Sequence, residues 1–320
     1  MELPAPLKAA IDQILEGVPL ADLQRQSEML TKRYRAEVRD GRLHMADALA
    51  VKAYLAARMP ATYAAVRASM DALAEAIPDF SPRTMLDIGA GPGTALWAAE
   101  DCFSGIESAT LFEASKPVRE MGERLTKNRI GAAATWTDGD ITIQTRDLLP
   151  ADLVTICYVL DEIAPANLPK LIDNLWRLTK SVLLIVEPGT PAGWRRILVA
   201  REQLIALGAY VAAPCPHQEL CPLIEPDWCH FSRRVARSKL HRLTKGADVP
   251  WEDEKYIFLA VSREPSPAYE ARILAPPRTG SGKVTLKLCQ SNGMAIEKML
   301  TKRDGEAFKK ARKLDWGDAF

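Results

Sequence analysis

No run of eighteen or more apolar residues occurs in this chain of 320 residues, which excludes a protein that crosses a bilayer on apolar helices. The first residues, Met1-Glu2-Leu3-Pro4-Ala5-Pro6-Leu7-Lys8, have an early acid, no basic run and no apolar core. Neither a secretory signal nor an Arg-rich transit peptide is expected, and the expected compartment is the cytoplasm of a prokaryotic-type cell. Internal repeats and low-complexity tracts are absent too. A net charge of only +1 conceals an asymmetry: residues 231–320 hold 19 Lys/Arg against 11 Asp/Glu, whereas residues 1–230 hold 23 against 30. The basic C-terminal third favours an anionic partner, of which nucleic acid is the commonest for a protein with no membrane anchor.

What is present is an ordinary globular composition, 48% hydrophobic and 26% charged, in a chain long enough to bury a large core. Over 5–78, apolar positions such as Leu7, Ala10, Ile11 and Leu15 recur at helical spacing, and Met45 to Leu55 is rich in Ala and Leu. From Met85 onward, short apolar runs (84–88, 108–113, 152–157, 181–186) alternate with helical periodicity (93–103, 115–127, 166–179, 192–207). This is the pattern of a parallel sheet wound with helices, an α/β fold. The division expected is a helical cap over 1–80, a wound-sheet domain over 81–208 and a C-terminal region over 209–320. In that region 209–231 reads as a Pro-rich irregular loop, Ser232 to Lys245 as a basic helix, Tyr256–Val261 and Val284–Leu288 as strands, and 305–313 as a second basic helix.

The first strand of the wound sheet runs into Asp87-Ile88-Gly89-Ala90-Gly91-Pro92-Gly93-Thr94, where a nucleotide cofactor is expected. Gly89 and Gly91 allow the backbone to approach a ligand and Gly93 allows helix and strand to pack closely. Asp87 lies just before the turn, within reach of the ligand directly or through water, and Glu113 follows Gly93 by 20 residues, placed to hold ribose hydroxyls. The spacing is G-x-G-x-G and Pro92 removes a backbone N–H, which counts against a nicotinamide dinucleotide. Thr279-Gly280-Ser281-Gly282-Lys283 is not a P-loop, because Pro277 stands at the first glycine position and Val284 replaces the Mg²⁺-binding hydroxyl.

Cys215, Cys221 and Cys229 stand in the Pro-rich loop and Cys289 far beyond it. Disulfides are not expected in the cytoplasm, so these four read as thiolate ligands of structural zinc or of an iron–sulfur cluster. The absence of a C-x2-C pair weakens an ordinary zinc ribbon, while His217 and His230 keep a mixed Cys/His zinc site open.

The glycine segment closely resembles the first motif of class I S-adenosylmethionine-dependent methyltransferases. That resemblance gives Glu113 to the ribose, places Asp147, after Arg146, near the adenine, and makes the strand from Asp152 the one ending beside the methyl group. No catalytic signature of amino-group or cytosine methylases follows that strand, which runs to Cys157-Tyr158-Val159-Leu160-Asp161-Glu162. Cys157 reads as a small buried hydrophobe rather than a nucleophile. Asp161 and Glu162 read either as a polar patch over the methyl donor or as acids favoured by a helix dipole.

Taken with Glu187-Pro188-Gly189-Thr190-Pro191, Cys215-Pro216-His217, Cys221-Pro222, Trp228-Cys229-His230-Phe231 and Arg272-Ile273-Leu274-Ala275-Pro276-Pro277-Arg278, the chain from about residue 50 to its end resembles a family of methyltransferase-like proteins associated with the small ribosomal subunit. The family includes mitochondrial small-subunit assembly factors and their bacterial relatives. The resemblance implies a class I methyltransferase-like (Rossmann-like) sheet with a helical cap and a metal-binding, basic C-terminal extension. It implies S-adenosyl-L-methionine as cofactor, a [4Fe–4S] cluster on Cys215, Cys221, Cys229 and Cys289, with zinc as the alternative, and the small ribosomal subunit and its rRNA as partners. The expected function is an assembly factor; the alternative is an active rRNA methyltransferase. Candidate phosphate contacts are Arg233, Arg234, Arg237, Lys239, Arg278, Lys283, Lys309 and Lys310.

Overall fold

Five short apolar runs form the parallel half of the main sheet: β1 (Thr84–Ile88), β2 (Ser108–Phe112), β3 (Ala133–Thr137), β4 (Ala151–Cys157) and β5 (Thr179–Pro188). These are the expected strands plus β3, whose half-exposed residues leave little apolar signal. The computed structural model describes residues 1–35, 45, 47–127, 131–140, 147–267 and 269–320. Between the strands run α5 (Thr94–Cys102), α6 (Lys116–Thr126), α7 (Leu168–Leu178) and α8 (Pro191–Ala206), each within two residues of its expected span. The sheet continues with β6 (Tyr210–Ala213), β7 (Phe231–Ala236) and β8 (Trp251–Ser262). Its order is β3-β2-β1-β4-β5-β8-β6, with β8 antiparallel to β5 and β7 pairing with β8. Three strands of this sheet therefore come from beyond residue 208.

The order reverses at β1, which lies between β2 and β4, so the crevice at the carboxyl ends of β1 and β4 is where a ligand is expected in an open α/β sheet. This is the wound α/β arrangement expected of a class I methyltransferase-like chain. Above it sits the helical cap: α1 (Ala5–Leu15), α2 (Leu20–Arg35), α3 (Ala48–Ala57) and α4 (Met59–Ala76). Asp47 caps α3, its side chain accepting from Ala50 N at 2.8 Å. Leu7, Val51, Leu55, Met59 and Met70 share one core with Leu96, Leu111 and Phe258 of the sheet layer. The cap is thus an integral layer of the fold. Residues 36–44 and 46 of the expected cap lie outside those described.

A second sheet is built by β9 (Ala271–Ile273), β10 (Arg278–Gly280), β11 (Lys283–Gln290) and β12 (Ala295–Thr301), with β11 pairing with the other three. α10 (Gly305–Ala311) closes its small core of Val284, Leu286, Leu300 and Phe308. The chain end returns to β9 through Phe320 N to Ala271 O at 2.8 Å.

One expectation is corrected here. The single basic helix over Ser232–Lys245 is instead β7 followed by α9 (Lys239–Lys245), capped by Ser238, which accepts from His241 N at 3.1 Å. The cause is the partner strand: β8 opens with Glu252, Asp253 and Glu254, which stand opposite Val235, Arg234 and Arg233. Opposite charges facing each other across the pair favour strand over helix. The loop expected over 209–231 likewise begins with β6, completing the sheet edge.

Candidate functional site

The glycine loop is held to its neighbour strand by backbone bonds, Gly89 N to Phe112 O at 2.8 Å and Ala90 N to Phe112 O at 3.1 Å. Gly89 and Gly91 have φ of 63° and 54°, conformations that favour glycine. A Cβ on Gly89 would lie 2.5 Å from Val159 Cγ2, whereas one on Gly91 would meet nothing within 4 Å. The Gly91 side of the loop is therefore open to a ligand. Gly93 stands at the N-cap of α5.

Glu113 joins this loop directly: Gly91 N donates to Oε2 at 3.0 Å and Ser115 N to Oε1 at 2.8 Å. Burial pushes its carboxyl up, against the pull of these amides. Asp87, 1% exposed, accepts from Thr155 Oγ at 2.6 Å through Oδ1, while Oδ2 has no partner. Burial raises its carboxyl to about 7, the Glu113 charge adding to the effect. Asp87, Gly89, Gly91, Gly93 and Glu113 are thus gathered at the end of β1. Asp147 is exposed, and no hydrogen bond among the described residues joins it to that loop; Arg146 lies outside the described residues.

The turn after β4 closes over the glycine loop. Tyr158 adopts φ 60°, its N–H bonded to Val186 O at 2.8 Å and its hydroxyl donating to Glu254 Oε1 at 3.1 Å. Leu160 N donates to Glu187 Oε1 at 3.1 Å, and Arg196 Nε of α8 donates to Glu187 Oε2 at 2.8 Å. Glu187 is fully buried, and burial followed by the Asp161 charge raises it to about 7 despite Arg196. Asp161 and Glu162 lie in this turn rather than opening a helix; α7 begins only at Leu168. Burial and then Asp161 push Glu162 to about 8. Cys157 is held as the thiol, raised well above its ordinary range by burial and by the Asp87 and Glu187 charges. Tyr158 and Glu187 are site residues that sequence reasoning missed: only the left-handed turn and the distant Arg196 give them their roles.

The cysteines converge. Cys215, Cys221, Cys229 and Cys289 all line one cavity, together with His217, Trp194, Arg201 and Arg272. Cys289 is delivered by β11, where it stands opposite Arg272 of β9. His217 Nε2 lies 3.2 Å from Cys289 Sγ. Burial first, and then the neighbouring thiols, raise Cys229 well above its ordinary range and Cys289 to about 12. Among the described residues, no three His, Cys, Asp or Glu side chains are placed to hold a single metal ion.

The walls of this cavity are largely apolar, with two buried cations among them. Arg201 and Arg272 are each 2% exposed, and no described carboxylate pairs with either. Arg201 Nη2 donates to His217 O at 2.8 Å, and Arg272 donates to Pro214 O, Gly317 O and the Tyr269 hydroxyl. Arg201 Nε is a buried donor with no acceptor among the described residues, while the Trp194 indole N–H is directed at the Cys221 thiol. An unmet buried donor of this kind costs about 1–3 kcal/mol. His230 stands apart, stacked on Trp228 at 5.0 Å and edge-on to Trp316 at 4.9 Å.

Of the candidate phosphate contacts, four are already paired: Arg234 with Asp253, Arg237 with Glu252, Arg278 with Glu297 and Lys309 with Glu306. Among the described residues Arg233, Lys239, Lys283 and Lys310 have no carboxylate partner, though Lys310 lies over the Phe320 ring at 5.1 Å. Lys302, Arg303, Arg312 and Lys313 are further exposed cations of the C-terminal region that were not among the candidate phosphate contacts. No helix among the described residues is long and apolar enough to cross a membrane.

Several known proteins are similar to this chain. A human protein, "Ribosome assembly protein METTL17, mitochondrial", is 28% identical over 284 residues, 83% of this chain and 61% of its own length. The Schizosaccharomyces pombe "Rsm22-cox11 tandem protein 2, mitochondrial" is 24% identical over 322 residues, 84% of this chain and 43% of its own. The chain thus spans less than two thirds of these relatives. Among solved structures, magnesium protoporphyrin IX methyltransferase from Synechocystis PCC 6803 with bound SAM matches with a TM-score of 0.43 at 13% identity, over 73% of this chain and 91% of that one. An O-methyltransferase family protein from Burkholderia thailandensis matches with a TM-score of 0.47 at 14% identity, over 77% and 72%. The family model described as "Mitochondrial small ribosomal subunit Rsm22" matches residues 48–320, and the chain belongs to that family.

Proposed function

We propose that this chain is an assembly factor of the small ribosomal subunit that takes S-adenosylmethionine at the glycine loop, a [4Fe–4S] cluster on Cys215, Cys221, Cys229 and Cys289, and rRNA along its basic C-terminal surface. The observation that carries the reading is the convergence of four thiols on one cavity walled by two buried guanidinium groups, in a chain of the Rsm22 family. Four thiolates around an oxidised [4Fe–4S] core make a dianion, which the Arg201 and Arg272 cations balance. Zinc on four thiolates has the same charge and is the alternative occupant. When bound, the cluster supplies bonds that tie the loop carrying Cys215, Cys221 and Cys229 to β11; the high thiol pKa values are overcome by the metal, which deprotonates its ligands.

At the glycine loop, Glu113 and Gly91 offer a carboxylate beside an open backbone, and the carboxyl groups of Asp87, Glu162 and Glu187 suit the cationic sulfonium of the cofactor. Binding rather than turnover is the reading supported by the turn after β4, Cys157-Tyr158-Val159-Leu160-Asp161-Glu162, which carries neither the amino-group nor the cytosine methylase signature. The test is transfer of a labelled methyl group to immature small subunits by anaerobically purified protein, with Gly91→Trp as control and iron analysis of Cys221→Ser alongside. The expected result is a particle-bound, iron-containing protein that leaves no label in rRNA, with iron lost in Cys221→Ser. Label in rRNA with the wild type alone would make the protein a methyltransferase; unchanged metal in Cys221→Ser would remove the cluster.

A further inference from the structure

Helix α8 touches both sites. Its first turn is seated on the end of β5: Thr190 Oγ accepts from Gly193 N at 3.1 Å, and a Cβ on Gly193 would lie 2.1 Å from Pro188 O. There is no slack at that junction. On one side of the helix Trp194, Ile197 and Arg201 line the cysteine cavity. From the same helix Arg196 reaches buried Glu187, whose other oxygen holds Leu160 N, and the adjoining Val159 packs over Gly89. Arg196 and Arg201 are five residues apart, about 7.5 Å along a rigid helix. A second tie runs beside it, Trp228 Nε1 of the cysteine loop donating to Gly189 O at 3.0 Å.

We propose that α8 couples the two sites, so that filling the cysteine cavity tightens the S-adenosylmethionine pocket and emptying it loosens that pocket; this rests on the cofactor and cluster assignments above. The driving force is on the cavity side. With an anionic occupant, the Arg201 charge and its unmet Nε–H are compensated, and α8 is held against β5. Without one, a buried cation with an unmet donor favours a displacement of α8 toward water. Arg196 moves with the helix, Glu187 loses its cation, and the Leu160 amide loses the acceptor that positions Val159 against the glycine loop. Each link in this chain is a direct contact, and the linkage is reciprocal: the cofactor raises metal affinity by the same factor.

The experiment is calorimetric titration of S-adenosylmethionine into anaerobically cluster-loaded protein and into protein stripped by a chelator, with circular dichroism to confirm that the stripped form is folded. The loaded form is expected to bind at least about fivefold more tightly, the lower end of ordinary coupling between sites. In Arg196→Gln the two forms are expected to bind alike. Hydrogen exchange on the wild type supplies a readout that needs no variant: stripping is expected to expose amides of α8 and of Val159–Glu162 together, leaving β2 and α6 protected. Equal cofactor affinity in metal-holding and stripped protein, or exposure confined to the cavity loop, overturns the coupling and leaves the two assignments standing. Loaded protein without iron, or no cofactor binding in either form, overturns those assignments and the coupling with them.

Discussion

The Arg201 guanidinium donates to the His217 carbonyl at 2.8 Å from a position that is 2% exposed, with no carboxylate among the described residues paired to it. This relationship holds a full positive charge at the wall of the cysteine cavity. Replacing a buried charge by an apolar side chain of similar volume is often neutral or stabilising when the charge lacks a partner. Arg201→Met is therefore expected to raise or preserve the melting temperature of metal-free protein and to lower that of cluster-loaded protein. Scanning calorimetry on both forms checks the inversion of sign. A variant that lowers both equally would make Arg201 a purely structural residue.

Gly89 and Gly91 separate backbone strain from ligand access. Both have positive φ, which costs a residue with a Cβ about 1–2 kcal/mol. At Gly89 an added methyl also collides with Val159, whereas at Gly91 it enters open space. Gly89→Ala is expected to lose more stability, about 2–3 kcal/mol, with part restored by Val159→Ala. Gly91→Ala is expected to lose about 1–2 kcal/mol of stability but at least as much cofactor affinity as Gly89→Ala. Urea unfolding of the four proteins and cofactor titration decide both points.

How much of this was legible in the sequence depended on how local the cause was. The turn at Gly89, Gly91 and Gly93 and the approach of Glu113 were readable because strand, turn and helix follow one another in the chain. Cys289 was grouped with Cys215, Cys221 and Cys229 because four thiolates suit a metal, whereas the cavity that gathers them is made by β11 pairing with β9. β7 was misread because Phe231 to Ala236 has too few apolar positions to choose a period by itself; Asp253 and Glu254 of β8, facing Arg234 and Arg233, chose it. The pairing of Arg278 with Glu297 was hidden for the same reason, since the two stand on different strands of a sheet whose register no local pattern announces. Tyr158 was opaque because its role follows from a left-handed turn and from Glu254, 96 residues later.

The buried carboxyls give stability a definite slope with pH. Asp87 and Glu187 are raised to about 7 and Glu162 to about 8, each chiefly by burial. Between the ordinary carboxylate range near 4 and these values, the folded protein binds more protons than the unfolded chain. Stability contributed by these groups is therefore fully present below about pH 4 and is lost as pH rises through 7 to 8. Glu252 opposes this at the acid end only, since His241, Lys245 and Arg237 hold it well below the usual range. Cofactor-free protein is expected to have a higher urea midpoint at pH 5.5 than at pH 8, with the difference reduced in Asp87→Asn. An unchanged difference in that variant would remove Asp87 as a source of the slope.

The basic surface divides into cations already neutralised and cations left for a partner. Arg234 is held by Asp253 through both Nε, at 2.8 Å, and Nη2, at 3.0 Å, while Lys283, Lys302 and Arg303 are exposed without a carboxylate among the described residues. Each phosphate contact removed from a duplex is expected to lower the slope of log affinity against log salt by about 0.9, and somewhat less for single strands. Lys283→Gln with Lys302→Gln and Arg303→Gln is expected to cut that slope by about 2–3 on small-subunit rRNA fragments. Arg234→Gln, whose charge is spent on Asp253, is expected to leave it nearly unchanged. Filter binding across a salt series measures both. A larger loss from Arg234→Gln than from the triple variant would move the RNA track from the second sheet to the β7–β8 edge, where Arg233 and Lys255 are the remaining exposed cations.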